Sequence, residues 1–323
     1  MPDVTFRALG EGELARFQDF VDPPRSGVGD RSRIYEQFVA DGDYRAGWVW
    51  VAERDGAVVA RAAFAAPPGE PLPWCLDWFD TGAGPDRVAV GAELLRAAYA
   101  ALVPPDYATP PHPDGGRPDY HLFLPATWRE RADSRRDAEY RIAAAERAGL
   151  RLFTERVNLR RTPDAGLPPR SGRLRFTTAA DDPGALSEAL AAVCSDTRDA
   201  YARRDAERHG PREAARMILA EVDTMPGPGR AWWRLARTPG TGEVVGVVLP
   251  TRNPYAATIG YVGVVPRHRG NGYAGDLVAE ALHLFAEAGE PVVDDATDVA
   301  NAAMVAAFRR NGYRVVGHRV ILE

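Results

Sequence analysis

Lysine is absent from the chain: all 40 side chains of the lysine-plus-arginine count are arginines. That bias fits a GC-rich genome and says nothing of function. Cysteine is nearly absent too. Cys75 and Cys194 alone cannot build a disulfide framework. No uninterrupted apolar run reaches membrane-spanning length. The start, Met1-Pro2-Asp3, carries no basic segment followed by an apolar one, so a cytoplasmic chain with no membrane partner is expected. There is no excess of positive charge: a net charge of −5 and a pI near 5.8 argue against nucleic acid as the main partner. The six histidines and two cysteines show no metal-ligand spacing, so no metal is expected. No Gly-x-Ser-x-Gly elbow and no Walker loop occurs.

At 323 residues the chain is long for one core, and two domains are expected. Two proline-rich stretches interrupt it. The first covers residues 104–118. The second, residues 162–172, falls at mid-chain and reads as a linker between a first domain, 1–161, and a second, 173–323. The two parts resemble each other. Arg147-Ala148-Gly149-Leu150-Arg151 followed by Arg156-Val157-Asn158-Leu159 matches Arg310-Asn311-Gly312-Tyr313-Arg314 followed by Arg319-Val320-Ile321-Leu322, at the same spacing. Trp50-Val51-Ala52, Gly56 and Val58-Val59 correspond to Trp233 through Ala236, Gly242 and Val244-Val245. Matching order in both places points to a duplication.

The second half reads as a mixed α/β unit. A short strand at Leu174 to Phe176 precedes a helix opened by Asp182-Pro183. An arginine-rich polar segment and a helix over residues 212–221 follow, then strands near Trp233, Val244 and Thr258–Val265. Pro266 stops the last of these. Beyond the loop Arg267-His268-Arg269-Gly270-Asn271-Gly272, the residues Ala274, Leu277, Val278, Ala281, Leu282 and Phe285 share one helical face. A strand at residues 291–293 and a helix over 302–310 ending at Gly312 complete the half.

Strand, glycine loop and helix together make an anion site. A helix N-terminus offers unpaired N–H groups and about half a positive charge. Gly270 and Gly272 keep side chains away from them, and Arg267 and Arg269 add donors where a phosphate would lie.

Val264-Val265-Pro266-Arg267-His268-Arg269-Gly270-Asn271-Gly272-Tyr273-Ala274 resembles motif A of the GNAT acetyltransferases, with its Arg-x-x-Gly-x-Gly core. Asn301, Met304, Phe308, Gly312 and Tyr313 resemble the family's second motif. The resemblance implies a tandem GNAT fold with a degenerate first copy, similar to mycothiol synthase-like proteins. It implies acetyl-CoA as cosubstrate, Val264 and Val265 beside the pantetheine arm, residues 269–274 around the diphosphate, and Asn301 in contact with the coenzyme. It also implies a departure. Phe308 stands where many relatives carry the tyrosine that protonates the leaving thiolate, so water, Tyr261 or Tyr273 would have to serve. In the first half, Thr81-Gly82-Ala83-Gly84-Pro85-Asp86-Arg87 lacks the motif and places Asp80 and Asp86 where phosphate would be repelled.

The acidic run Asp294-Asp295-Ala296-Thr297-Asp298 sits at the end of the strand over residues 291–293, after the coenzyme helix, which in this fold is near where acceptor and thioester meet. Asp295 and Asp298 are the candidate bases, with His268 an alternative and a solvated turn the plain structural reading. The function expected is transfer of an acetyl or short acyl group to an amine of a small molecule by direct attack in a ternary complex. A protein or peptide N-acetyltransferase, or a non-catalytic acyl-CoA-binding protein, remains open at this point. Relatives that use aminoacyl-tRNA typically dispense with the diphosphate loop retained here. Duplication also implies a monomer, since paired copies can cover the edges that single-domain relatives bury by dimerising.

Overall fold

The computed structural model describes residues 3–20, 35–108 and 116–323. Met1-Pro2 and residues 109–115 of the first proline-rich stretch lie outside the described residues. The first half runs β1 (Thr5–Ala8), α1 (Tyr35–Ala40), β2 (Val49–Arg54), β3 (Ala57–Ala65), β4 (Cys75–Thr81), α2 (Arg87–Leu102), β5 (Asp119–Pro125), α3 (Ala132–Arg147) and β6 (Leu152–Arg161). The second runs β7 (Arg175–Thr178), α4 (Pro183–Cys194), α5 (Ala200–His209), α6 (Pro211–Thr224), β8 (Arg234–Arg237), β9 (Val244–Arg252), β10 (Ala257–Val264), α7 (Tyr273–Glu287), β11 (Val293–Asp298), α8 (Ala302–Arg310) and β12 (Arg314–Leu322). The duplication seen in the sequence is therefore one of element order: β4-α2-β5-α3 and β10-α7-β11-α8 run in step.

Local chemistry explains most boundaries. Asp182 caps α4, its side chain accepting from Ala185 N–H at 3.0 Å, with Pro183 at the first helical position. Asn301 caps α8, and Gly312 leaves it in the left-handed region at φ +86°. The arginine-rich polar segment before residue 212 is the helix α5. Its signal is short: Asp199 accepts from Ala202 N–H at 3.0 Å, and only Ala200 and Ala202 are buried.

The compact units do not follow the contiguous halves. Unit 1 comprises residues 1–155 and 317–323, and unit 2 comprises residues 156–316. In unit 1 the strand order is β1-β2-β3-β4-β5-β12, with Gly317–Leu322 of β12 antiparallel to β5. In unit 2 it is β6-β11-β10-β9-β8-β7, with Arg156–Arg161 of β6 antiparallel to β11. Each half thus gives its last strand to the other unit. The cores agree: Val320 and Leu322 pack with Leu94, Leu95 and Phe64, whereas Val157 and Leu159 pack with Leu277, Phe285 and Phe308. Residues 162–172, read as a free linker, lie on unit 2. The Pro168 carbonyl meets His283 Nε2 at 2.8 Å, and Arg170 pairs with Glu280 at 3.1 Å.

Candidate functional site

In unit 2 the parallel neighbours β10 and β11 pair only at Ala257 and Val293. Beyond that point β10 continues along β9 while β11 continues along β6. The divergence opens a cleft of about 480 Å³, floored by β10 and walled by α8, the α4–α5 loop and the loop before α7. Gly263 lets α4 close one side, since a Cβ there would lie 2.4 Å from Val193. At the other end Gly270 and Gly272 have φ of +83° and +76°, and Gly272 precedes the first turn of α7. Here the glycines are required by backbone conformation. The cleft therefore runs from a strand edge to a helix N-terminus.

Most of the residues expected at the site meet in this cleft. Tyr261 and Val264 line its floor, Arg269, Gly270, Gly272, Tyr273 and Ala274 its phosphate-sized end. Asn301 and Phe308 line the α8 wall, as does Met304. Phe308 is 2% exposed, packed edge-on against Tyr313 with centroids 4.9 Å apart, so its role is apolar.

Others stand elsewhere. Val265 points into the core beside Val193 and Trp233. Arg267 pairs with Glu243 at 2.6 Å and does not line the cleft. Asn271 shapes the loop, donating from Nδ2 to the His268 carbonyl at 3.1 Å and the Arg269 carbonyl at 3.3 Å.

Neither candidate base lines the cleft. The acidic run is itself strand β11, because Asp294 pairs bidentately with Arg160 across the β6 ladder (2.7 and 2.8 Å). Asp298 is buried and accepts from Ala200 N–H at 2.6 Å, tying down the start of α5. Asp295 accepts from Ile259 N–H at 2.7 Å, Thr258 Oγ1 at 3.2 Å and Tyr313 OH at 2.7 Å. Burial pushes its carboxyl up to about 6 despite those donors. This is a brace between strands.

A titration separates the two roles. The Asp295 carboxyl protonates near 3.9 when unfolded and near about 6 when folded, so the unfolded state releases its proton first as pH rises. Native stability from this group is greatest below pH 4 and falls across pH 4–6, by roughly 2–3 kcal/mol. In Asp295→Asn that loss is gone, so the melting temperature of the variant relative to wild type should climb from pH 4 to 6. Turnover at pH 7 should stay within about threefold; a loss of the 10²-fold or more typical of a base would show that Asp295 is catalytic after all.

Sequence reasoning missed part of the cleft. Arg156 comes from β6, assigned by the repeat to the first domain; it pairs with Asp199 at 3.2 Å and donates to the Ala296 carbonyl at 3.0 Å. Asp199 is the one carboxylate lining the cleft among the described residues. Burial, then the neighbouring Cys194, raise the Tyr261 phenol well above the ordinary value, against the opposing effect of Thr197. The Cys194 thiol is itself pushed up by burial to about 11, which leaves it protonated and inert.

Residues 194–313 match the model of the acetyltransferase (GNAT) family. That segment is a GNAT acetyltransferase domain. It is an acyltransferase, and the cleft lies within the matched GNAT segment apart from Arg156 and Val193. Comparison with curated protein sequences returns no match. Among solved structures, a GCN5-related N-acetyltransferase from Sphaerobacter thermophilus is 18% identical, with a TM-score of 0.49 over 99% of this chain and 94% of that one. A tandem GNAT protein from the clavulanic acid biosynthesis pathway is 16% identical, with a TM-score of 0.48 over 99% and 98%. The glucosamine N-acetyltransferase region of a fungal multi-domain GH3 β-N-acetylglucosaminidase is 13% identical, with a TM-score of 0.52 over 100% of this chain and 38% of that one. At that identity the last likeness is one of fold.

Unit 1 repeats the strand divergence, with charged residues beside it. β4 and β5 pair only at Cys75–Asp119 and Leu76–Tyr120. The fully buried Arg141 on α3 reaches Asp80 at 2.6 Å and Asp137 at 2.9 Å, while Arg61 meets the other Asp80 oxygen at 2.7 Å. Burial alone would raise the Asp80 carboxyl, yet Arg141 and Arg61 hold it below its ordinary value. Aligning Gly149 with Gly312 sets Arg141 opposite Met304, so a charged plug stands where unit 2 has its cleft wall. At the start of α2, Arg54 and Asp86 pair at 2.5 Å, beside a pocket of about 90 Å³. Among the described residues, no helix is long and apolar enough to cross a membrane, and no His/Cys/Asp/Glu group could hold a metal ion.

Proposed function

We propose that unit 2 binds acetyl-CoA in the cleft and that the protein acetylates, or transfers another short acyl group to, an amine of a small-molecule acceptor. The divergence of β10 from β11, ending on a glycine loop and a helix N-terminus, carries this reading. The coenzyme supplies an activated thioester. The unpaired edge of β10 near Val264 runs alongside the pantetheine arm, and the N–H groups of residues 270–274 with the Arg269 guanidinium receive the diphosphate. Asn301 and Phe308 wall the thioester.

The acceptor nitrogen attacks the thioester carbonyl carbon, the C–S bond breaks, and sulfur leaves with the bonding pair. Tyr261 is the proton donor in this reading. Its raised pKa keeps the phenol protonated at neutral pH, and Thr197 lines the cleft with it. A cationic amine loses two protons on its way to the amide. Asp199, facing the same space, draws the amine in and accepts the first through water before attack; the second, shed from nitrogen after attack, returns to Tyr261 and replaces the proton given to sulfur.

Thiol release from acetyl-CoA, followed with a panel of small amines and with peptides, tests the reading. Small amines should support turnover. Tyr261→Phe and Asp199→Asn should each lower kcat/KM by about 10–100-fold, at the low end of general acid–base effects. Asparagine still caps α5, so the second variant removes charge and not the helix start. Turnover with peptides alone would select the peptide enzyme; tight coenzyme binding with no thiol release from any amine would select the non-catalytic reading.

A further inference from the structure

The phosphate end of the cleft holds more cationic groups than a diphosphate needs, and they differ in what they already do. Arg269 lines it but is engaged: Nε donates to the Val264 carbonyl at 3.1 Å, and Nη1 donates to the Asp196 carbonyl at 2.7 Å and carboxylate at 2.6 Å. Arg173 lies beside the loop, donating to the Asn271 carbonyl at 2.9 Å and pairing with Asp276. Arg267 is turned to Glu243. Arg198, in the α4–α5 loop, also lines the cleft, exposed and without a side-chain hydrogen bond or ion pair among the described residues; Arg310 differs from it in its tie to α7. It lines the cleft from the last turn of α8, is exposed, and makes no side-chain hydrogen bond or ion pair among the described residues.

Its position is nevertheless held. The next residue, Asn311, is buried and donates from Nδ2 to the Gly275 carbonyl at 3.1 Å and to the Ala307 carbonyl at 2.9 Å. Gly275 belongs to the first turn of α7, so one amide ties the end of α8 to the helix start that receives phosphate. Arg309 shares the last turn and complements the helix dipole without lining the cleft. A dipole role therefore does not explain why Arg310 faces the cleft.

We infer that Arg310 reads the 3′-phosphate of the coenzyme's adenosine. This rests on the coenzyme A reading of the cleft. Coenzyme A carries a phosphate monoester beyond its diphosphate, and the α7 N–H groups with Arg269 account for the diphosphate. A guanidinium with its donors unspent, pinned beside that helix start, matches a phosphate dianion in charge and in geometry. The protein thereby distinguishes coenzyme A from its 3′-dephospho precursor.

Calorimetric titration of the full chain with coenzyme A and with 3′-dephospho-coenzyme A tests this. Wild type should prefer coenzyme A by about fivefold, the scale of an exposed charge pair, and the preference should shrink as salt rises from about 50 to 500 mM. Arg310→Ala should weaken coenzyme A by the same factor and leave dephospho-coenzyme A within about twofold. Arg310→Lys, which keeps the charge but not the fork, should fall between. Equal affinity of wild type for the two ligands overturns the inference. So does an equal loss of both in Arg310→Ala, which would assign Arg310 to the diphosphate or to the helix end. If wild type binds neither ligand, the coenzyme reading of the cleft itself falls, an outcome distinct from a loss of selectivity alone.

Discussion

Gly270→Asp combined with Gly272→Asp should take coenzyme A binding from one site per chain to none. Both positions have φ in the left-handed region, where aspartate is among the better tolerated side chains. Each replacement should cost about 1–2 kcal/mol of backbone strain, leaving the fold intact with a melting temperature lower by several degrees. Nothing lies within 4 Å of a Cβ at Gly270, and only an Arg173 nitrogen at 3.8 Å at Gly272, so there is room for the new side chains. What changes is the charge. Two carboxylates at the start of α7 cancel the helix dipole and repel a diphosphate, so affinity should fall by at least about a hundredfold. Calorimetry on wild type and variant, with the melt as a folding control, checks both halves. A wild-type stoichiometry of two would place a second site in unit 1, where Arg141 and Asp80 now fill the space; retained binding in the double variant would move the phosphate away from this loop.

The second large effect concerns where the chain can be cut. A fragment of residues 162–323 looks like a whole domain in the sequence but should not fold. It lacks Arg156–Arg161, six residues in register with Val293–Asp298 of β11. Val157 and Leu159 are 3% and 1% exposed, and burying each is worth about 1.5–3 kcal/mol. With the ladder bonds of a whole strand added, the loss is comparable to the roughly 5–15 kcal/mol that holds a domain together. The cleft would also lose Arg156, leaving Asp199 without its ion pair. Residues 156–316 carry the missing strand and should melt cooperatively and bind coenzyme A once. Circular dichroism melts and titration of the two fragments decide it: if 162–323 folds and binds as well as 156–316, the strand exchange is not what stabilises unit 2.

Much of unit 2 was legible in the sequence because it depends on neighbours in the chain. Pro266 must end a strand, left-handed Gly270 and Gly272 must bend the loop, and the stripe from Ala274 to Phe285 must be a helix with one buried face. Asp182, Asn301 and Gly312 mark helix ends through contacts within a few residues. All of these follow from interactions spanning a turn or two, and so the phosphate end of the cleft could be read before any fold was known. The carboxylates could not. Asp199, Asp295 and Asp298 are alike as residues; which one faces the cleft depends on what β6, β10 and α5 bring to each.

The exchange of last strands was hidden for a related reason. β6 and β12 carry the same repeat pattern, Arg-Val-x-Leu, so the sequence supports pairing with either neighbour equally well. Only the assembled sheets select one. Phe308 alone shows the division most simply: the sequence determined that it carries no proton, and the tertiary structure decided that Tyr261, on another element, stands within reach of the same space.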